Sequence, residues 1–262
     1  LRDRAFLKVR PAISWPGGKS RLLKYLLPLI PPHVCYCEPF AGGLAVLLAK
    51  PRSKVEVIND INGELVTFYR CVRFHPDVLL TELEFVLNSR EEFHDFRDQP
   101  GLTDIQRAAR WFFRNKNCFG GANMASFGTG ATCGSASLGS RHSRMEAIRA
   151  LSLRLDRVGI EHVSWEKCLD LYDRPATFFF LDPPYTDCNP NQYRAWTNTD
   201  VQLLKANIDR LRGSWLLPLN NTPAIRTIFA GCRLKAVERA RGIANKGGKS
   251  ARYRELIITP AK

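Results

Sequence analysis

The stretch VCYCEPFAGGLAVLLAK, Val34 to Lys50, passes from an apolar run through a Pro/Gly turn into a segment rich in Leu and Ala. KVEVINDINGELVTFYRCVRFH, Lys54 to His75, repeats that plan, with an apolar run ending at Asn59-Asp60 and a helical pattern after it. Two strand–turn–helix units in succession predict a parallel sheet with crossover helices. In such a sheet ligands bind outside the carboxyl ends of the strands, so EPFAGG and Asp60 stand where a ligand would.

The flanks extend the pattern. SRLLKYLLPLIPP, Ser20 to Pro32, predicts a short amphipathic helix stopped by Pro31 and Pro32. Phe74 to Asp104 reads as charged helix, and IQRAARWFFRNK, Ile105 to Lys116, continues as a basic helix with aromatics. Asn117 to Met145 is rich in Gly, Ala and Ser without apolar period; so long an irregular stretch is either functional or disordered. EAIRALSLRLDRV, from Glu146, restores helical spacing. The α/β alternation then resumes with GIEHVSW, TFFFLDPPY, the helix DVQLLKANIDRLRG and the strand SWLLPLNN, ending at Asn221. From Cys232 to Pro260 two extended segments around a Gly-Gly turn predict a long antiparallel hairpin. No internal repeat is visible. The expected layout is an α/β core of residues 1–68 and 156–262, interrupted by an inserted lobe, residues 69–155.

With 262 residues, 45% of them hydrophobic, the chain can bury one sizeable core with such a lobe. No apolar stretch approaches the roughly 20 residues of a membrane helix. The first residues carry charges where a signal peptide would be apolar, so a soluble, intracellular protein is expected. Eight cysteines without a CxxC pair argue against both a disulfide framework and a zinc site. The net charge of +14 points to a polyanionic partner, nucleic acid foremost.

Gly42 and Gly43 would let a backbone approach a ligand, and Asp60 could accept hydrogen bonds from both hydroxyls of a ribose. A dinucleotide is disfavoured because GxGxxG is absent, and PGGKS is not a Walker loop. A cofactor with a ribose but no phosphate fits better, and S-adenosylmethionine has that character. A tight turn and a helix-capping Asp would read alike at this point.

WPGGK (Trp15 to Lys19), then PFAGG (Pro39 to Gly43), an inserted segment and DPPY (Asp182 to Tyr185) form an ordered motif set. In this the chain resembles the amino-group DNA methyltransferases, specifically the alpha-group, Dam-type D12 class acting on adenine. NKGGKSARYRELIIT, Asn245 to Thr259, resembles that family's closing hairpin. The resemblance implies a Rossmann-like S-adenosylmethionine-dependent core with a mixed, mostly parallel sheet and an inserted, mainly helical target-recognition lobe. It implies site-specific methyl transfer to the adenine N6 amino group in double-stranded DNA by base flipping, as in restriction-modification. A monomeric, cytoplasmic enzyme, bacterial or phage-encoded and needing no metal, is expected with it. Methylation of the cytosine N4 amino group, and a catalytically decayed DNA-binding protein, are the alternatives; Asp182 would serve either base.

The chemistry suits the tetrapeptide. An exocyclic amine is a poor nucleophile because its lone pair is delocalised into the ring. Asp182 and the Pro183 carbonyl can each accept one amine hydrogen, while Pro183 and Pro184 fix φ and hold that carbonyl. Tyr185 offers a flipped base a stacking surface worth about 1–3 kcal/mol. By resemblance, Trp15 contacts the cofactor's adenosine and Lys19 sits near its carboxylate. Asp60 holds the ribose with Ile61 beside it, and Asp182 touches both cofactor and target amine. Gly18, Glu38, Pro39, Phe40, Gly42 and Ser164 complete the cofactor pocket. Arg114, Asn115, Phe119 and Gly121 match the family's DNA-reading lobe, Arg141 reaches a base edge, and Lys246, Lys249 and Arg252 take phosphates. Two departures stand out. Ser164-Trp165 replaces an Asp frequent in the family, and Gly120 stands where the family has Asn, so a GATC preference does not transfer.

Overall fold

The computed structural model describes residues 9–118, 124, 127–128, 141–186, 196–240 and 252–261. Seven strands share one sheet: β1 (Cys35–Glu38), β2 (Val55–Asn59), β3 (Val158–Glu161), β4 (Thr177–Phe180), β5 (Ser214–Asn220), β6 (Arg233–Ala240) and β7 (Arg252–Thr259). Their order is β3-β2-β1-β4-β5-β7-β6. The first five run parallel, and β7 is antiparallel to both β5 and β6. This is the expected α/β architecture with a mixed, mostly parallel sheet and a terminal hairpin.

Alternation along the strands sorts the core into two layers. Tyr36, Ile58, Phe178, Phe180 and Leu216 face one way, into a cluster that also holds Phe68 and Phe112. Cys37, Val57, Phe179, Leu181 and Leu217 face the other, with Leu169 and Leu204. All four residues of β4 are buried, as befits a central strand covered on both faces.

The described residues form ten α-helices: α1 (Leu23–Leu26), α2 (Ala45–Ala49), α3 (Gly63–Phe74), α4 (Pro76–Glu84), α5 (Arg90–Asp98), α6 (Asp104–Asn117), α7 (Arg141–Leu155), α8 (Trp165–Tyr172), α9 (Asn198–Ile208) and α10 (Pro223–Ile228). Phe93 of α5 packs with Phe113 of α6 in a third, smaller cluster. Asn62 caps α3 by accepting from the Glu64 and Leu65 N–H groups. The helix expected over Ser20–Pro32 is instead a single α turn between two 3-10 turns, because Pro28 interrupts it. The charged segment divides into α4 and α5, and α8 and α10 were not anticipated. The lobe boundary expected at residue 69 falls inside α3, and Phe68 of α3 stacks on Phe112 of α6 at 5.3 Å. Leu79, Phe112 and Ile148 from the insert share one buried cluster with Tyr36 and Phe178 of the sheet.

Among the described residues no helix is long and apolar enough to cross a membrane. Nor do they contain a group of three or more His, Cys, Asp or Glu side chains that could hold a metal ion.

Candidate active site

The sheet order reverses at β1, which lies between β2 and β4, so a crevice opens at the carboxyl ends of β1 and β4. Three acidic groups arrive there: Glu38 ends β1, Asp60 follows β2, and Asp182 follows β4.

Asn59, fully buried at the end of β2, ties the neighbouring strand ends together. Its amide donates to the Pro39 and Val163 carbonyls at 3.0 and 3.1 Å and accepts from the Val163 N–H at 2.9 Å. Asp60 follows directly. Its two oxygens accept from the Gly42 and Asn62 N–H groups at 3.0 and 2.9 Å. Burial pushes this carboxyl above its ordinary range, with those backbone donors opposing.

Gly42 has φ +46°, and a Cβ there would lie 2.7 Å from Trp15 Nε1. A Cβ at Gly43 would meet Trp15 Cβ at 3.1 Å, so these glycines let the Trp15 indole lie against the turn, and Gly43 lines the same cleft as Trp15. Tyr69 donates its hydroxyl to the Gly42 carbonyl and holds the turn from below. Glu38 is buried, and its Oε1 accepts from the Tyr36 hydroxyl at 2.5 Å and the Leu47 N–H at 2.9 Å. Burial raises its pKa to about 7, the two donors opposing.

Lys19 reaches the same crevice from the WPGGK turn. Only 4% exposed, its ammonium lies 2.6 Å from Asp182 Oδ1, 2.7 Å from the Gly17 carbonyl and 4.8 Å from the centre of the Tyr185 ring. Pro183 is buried, while Pro184 and Tyr185 are half-buried. The Tyr185 hydroxyl donates to Glu255 Oε2 at 2.6 Å. Lys19, Glu38, Phe40 and Asp182 line one cleft with Trp15 and Gly18. Beside it, Phe40 stacks on Trp165 at 6.2 Å and meets Trp196 edge-on at 5.6 Å.

Other expected residues have different duties. Ser164 caps α8 by accepting from the Lys167 N–H at 3.3 Å, which leaves its O–H free to donate. Asn115, expected to read DNA, is fully buried. Its amide exchanges two hydrogen bonds with the Ser14 backbone at 2.8 and 2.9 Å and so fixes the residue before Trp15. Arg114 is half-buried, donates to the Met124 carbonyl at 2.7 Å and packs over Phe93. Burial lowers its pKa. Arg141 and Arg252 open α7 and β7, their side chains being outside the description. Phe119, Gly121, Lys246 and Lys249 lie outside the described residues. Sequence reasoning missed Asn59 and Glu255.

The sheet order and the acidic groups gathered at its switch point define an α/β, Rossmann-like ligand-binding core. Residues 15–241 match the D12 class N6 adenine-specific DNA methyltransferases, and the chain belongs to that family. It is thus an adenine-specific DNA methyltransferase, modifying the N6 amino group, in a family whose methyl donor is S-adenosylmethionine. Among similar proteins, the type II methyltransferase M.MjaIII of Methanocaldococcus jannaschii is 27% identical, over 93% of this chain and 96% of the relative. The type II methyltransferase M1.LlaDCHI of Lactococcus lactis is 25% identical over 97% and 96%. The DNA adenine methylase of Haemophilus influenzae is 21% identical over 96% and 93%.

Proposed function

We propose that this crevice binds S-adenosylmethionine and a target adenine flipped out of double-stranded DNA, with Asp182 as the group that meets the amine. The observation carrying this reading is the position of Asp182: at the mouth of the switch-point crevice, clamped by the buried Lys19, with the rigid Pro-Pro-Tyr turn beside it. When bound, the cofactor supplies an electrophilic methyl group on a sulfonium.

The residues present fit that cofactor. Asp60 has acceptor capacity beyond its backbone bonds for ribose hydroxyls. Ile61, 73% exposed, with Phe40 and Trp165, supplies apolar surface for an adenine. Asp182 and the Pro183 carbonyl take the two amine hydrogens and turn the nitrogen lone pair out of conjugation. Lys19 holds one Asp182 oxygen in place, and Tyr185 supports the extruded base. The insert, with Arg141 and the segment around Phe119 and Gly121, is read as the target-selecting lobe. Lys246, Lys249 and Arg252 are read as phosphate contacts. A monomer acting in the cytoplasm completes the reading, in keeping with bacterial and archaeal relatives. Incubation with genomic DNA and methyl-labelled S-adenosylmethionine, followed by nucleoside mass spectrometry and mapping, tests it. N6-methyladenine within a defined sequence is expected, and N4-methylcytosine would overturn it.

Asp60→Ala is expected to weaken S-adenosylmethionine binding by about 1.5–3 kcal/mol, the range for a hydrogen bond to a charged group. Titration calorimetry with wild type and variant measures this, and equal affinities would remove Asp60 from the ribose site.

Glu38 adds a pH dependence. Its folded pKa, about 7, lies above the ordinary carboxylate value. The unfolded chain therefore ionises first, and Glu38's contribution to stability, full in acid, is lost as the pH rises through about 7. Cofactor donors would favour the ionised form, so affinity should rise with pH up to about 7 and binding should release protons. Calorimetry at pH 6.5 in buffers of different ionisation enthalpy (roughly half a unit below that midpoint) reads the release. No proton exchange would place Glu38 outside the binding site.

A further inference from the structure

Glu255 is a buried carboxylate in the strand RYRELIIT, followed by the buried Leu256, Ile257 and Ile258. A carboxylate in such a place costs several kcal/mol unless it is paired, so an apolar residue would serve packing better. Its Oε2 takes the Tyr185 hydroxyl at 2.6 Å, a short charge-assisted bond. The residue beside Tyr185 is anchored the same way. Asn220 donates to the Thr186 hydroxyl at 3.3 Å, and Asn220 and Glu255 are partners in the β5–β7 ladder. One cross-strand pair thus holds two consecutive side chains, the last of DPPY and the Thr186 that follows it. Two prolines set the backbone before Tyr185, but they leave its χ angles free. Lys19 over the ring and Glu255 at the hydroxyl supply what the backbone does not.

We propose that Glu255 is a positioning residue for Tyr185, with Asn220 as a second anchor at Thr186, which makes the terminal hairpin part of the methyl-transfer site. This rests on the reading that Tyr185 meets the target base.

The test is a mutant cycle on single-turnover methylation of a duplex carrying the mapped site. Base extrusion is followed in parallel by fluorescence of 2-aminopurine placed at the target adenine. Glu255→Ala and Tyr185→Phe are each expected to slow transfer by about 10- to 100-fold, the scale of a misplaced reacting group. The two losses should not multiply, because both variants break one bond. Glu255→Gln, which can still accept the hydroxyl, should stay within about fivefold of wild type. The 2-aminopurine amplitude should fall in Glu255→Ala, while cofactor affinity stays unchanged. Losses that multiply, or a lower Tm with an unchanged rate per folded molecule, would overturn the proposal. If Glu255→Ala does not fold, Glu255→Gln decides: its effect should vanish in a Tyr185→Phe background, and persistence there counts against the proposal. Tyr185→Ala separates the two readings. Wild-type activity in that variant would sink the role of Tyr185 itself, whereas a large loss with an uncoupled cycle sinks only the role of Glu255.

Discussion

Asp182→Ala is expected to lower the single-turnover methylation rate by about 10²–10³-fold or more, the cost of removing a preorganised partner from a reacting centre. The expectation follows from where the charge is needed. In the ground state the target amine shares its lone pair with the purine ring. Only acceptors fixed in advance can draw its two hydrogens out of plane without reorganising during the reaction. Asp182 is fixed: Lys19 holds Oδ1 at 2.6 Å, and Lys19 is itself held by the Gly17 carbonyl at 2.7 Å. Alanine also strips the buried Lys19 of this partner, so Asp182→Asn should be measured beside it. Asparagine keeps the shape and loses the charge, and it should be nearly as slow. Rapid quench with labelled cofactor gives the rate, and a binding titration should find DNA affinity little changed. Transfer within about tenfold of wild type in both variants would remove Asp182 from the chemistry.

The fold was legible where residues of one type cluster in sequence. Val55–Asn59, Thr177–Phe180 and Ser214–Asn220 are apolar runs bounded by turns, and each is a strand. The hairpin was legible for the same reason. The two unforeseen helices are short, and the marks they carry are their caps: Ser164 before α8, and Thr222 with Pro223 at the first position of α10. The Thr-Pro step is a readable helix start.

Candidate-site residues were legible where one short turn holds them, as in WPGGK and DPPY, whose Lys19 and Asp182 meet although they are far apart in the chain. What stayed hidden acts through side-chain bonds across the sheet. Asn59 holds Val163, and Glu255 holds Tyr185, at separations that leave no periodic mark. Asn115 misled for the complementary reason. A polar residue in a basic, aromatic helix reads as a surface contact until the fold turns it toward Ser14.

The largest stability effect is expected far from the crevice, at the other end of β2. Glu56 is 4% exposed, and two cations converge on it. Arg154 of α7 donates to Oε2 at 2.5 Å and Oε1 at 2.9 Å, and Lys50 donates to Oε1 at 2.5 Å. Burial alone would raise the Glu56 pKa, but the bonds from Arg154 and Lys50 bring it below its ordinary value. A depressed carboxyl stabilises the fold above its unfolded pKa, and that contribution is lost as the pH falls through the folded value, in the acid range. Glu56→Ala leaves two buried cations without their shared acceptor and should cost about 3–5 kcal/mol, the range for breaking a buried pair from one side. Replacing Lys50, Glu56 and Arg154 together by apolar residues of similar volume should recover most of that loss, because no uncompensated charge then remains. Denaturant titration of the single and triple variants measures both, and a single variant as stable as wild type would show the ion triad to be energetically idle. Three residue steps of strand, about 10 Å, separate Glu56 from Asn59. The methylation rate per folded molecule should therefore hold while stability falls. A rate that falls with stability would mean that the triad reaches the crevice, and the route is at hand: Lys50 sits over the Tyr36 ring at 4.2 Å, and Tyr36 donates to Glu38.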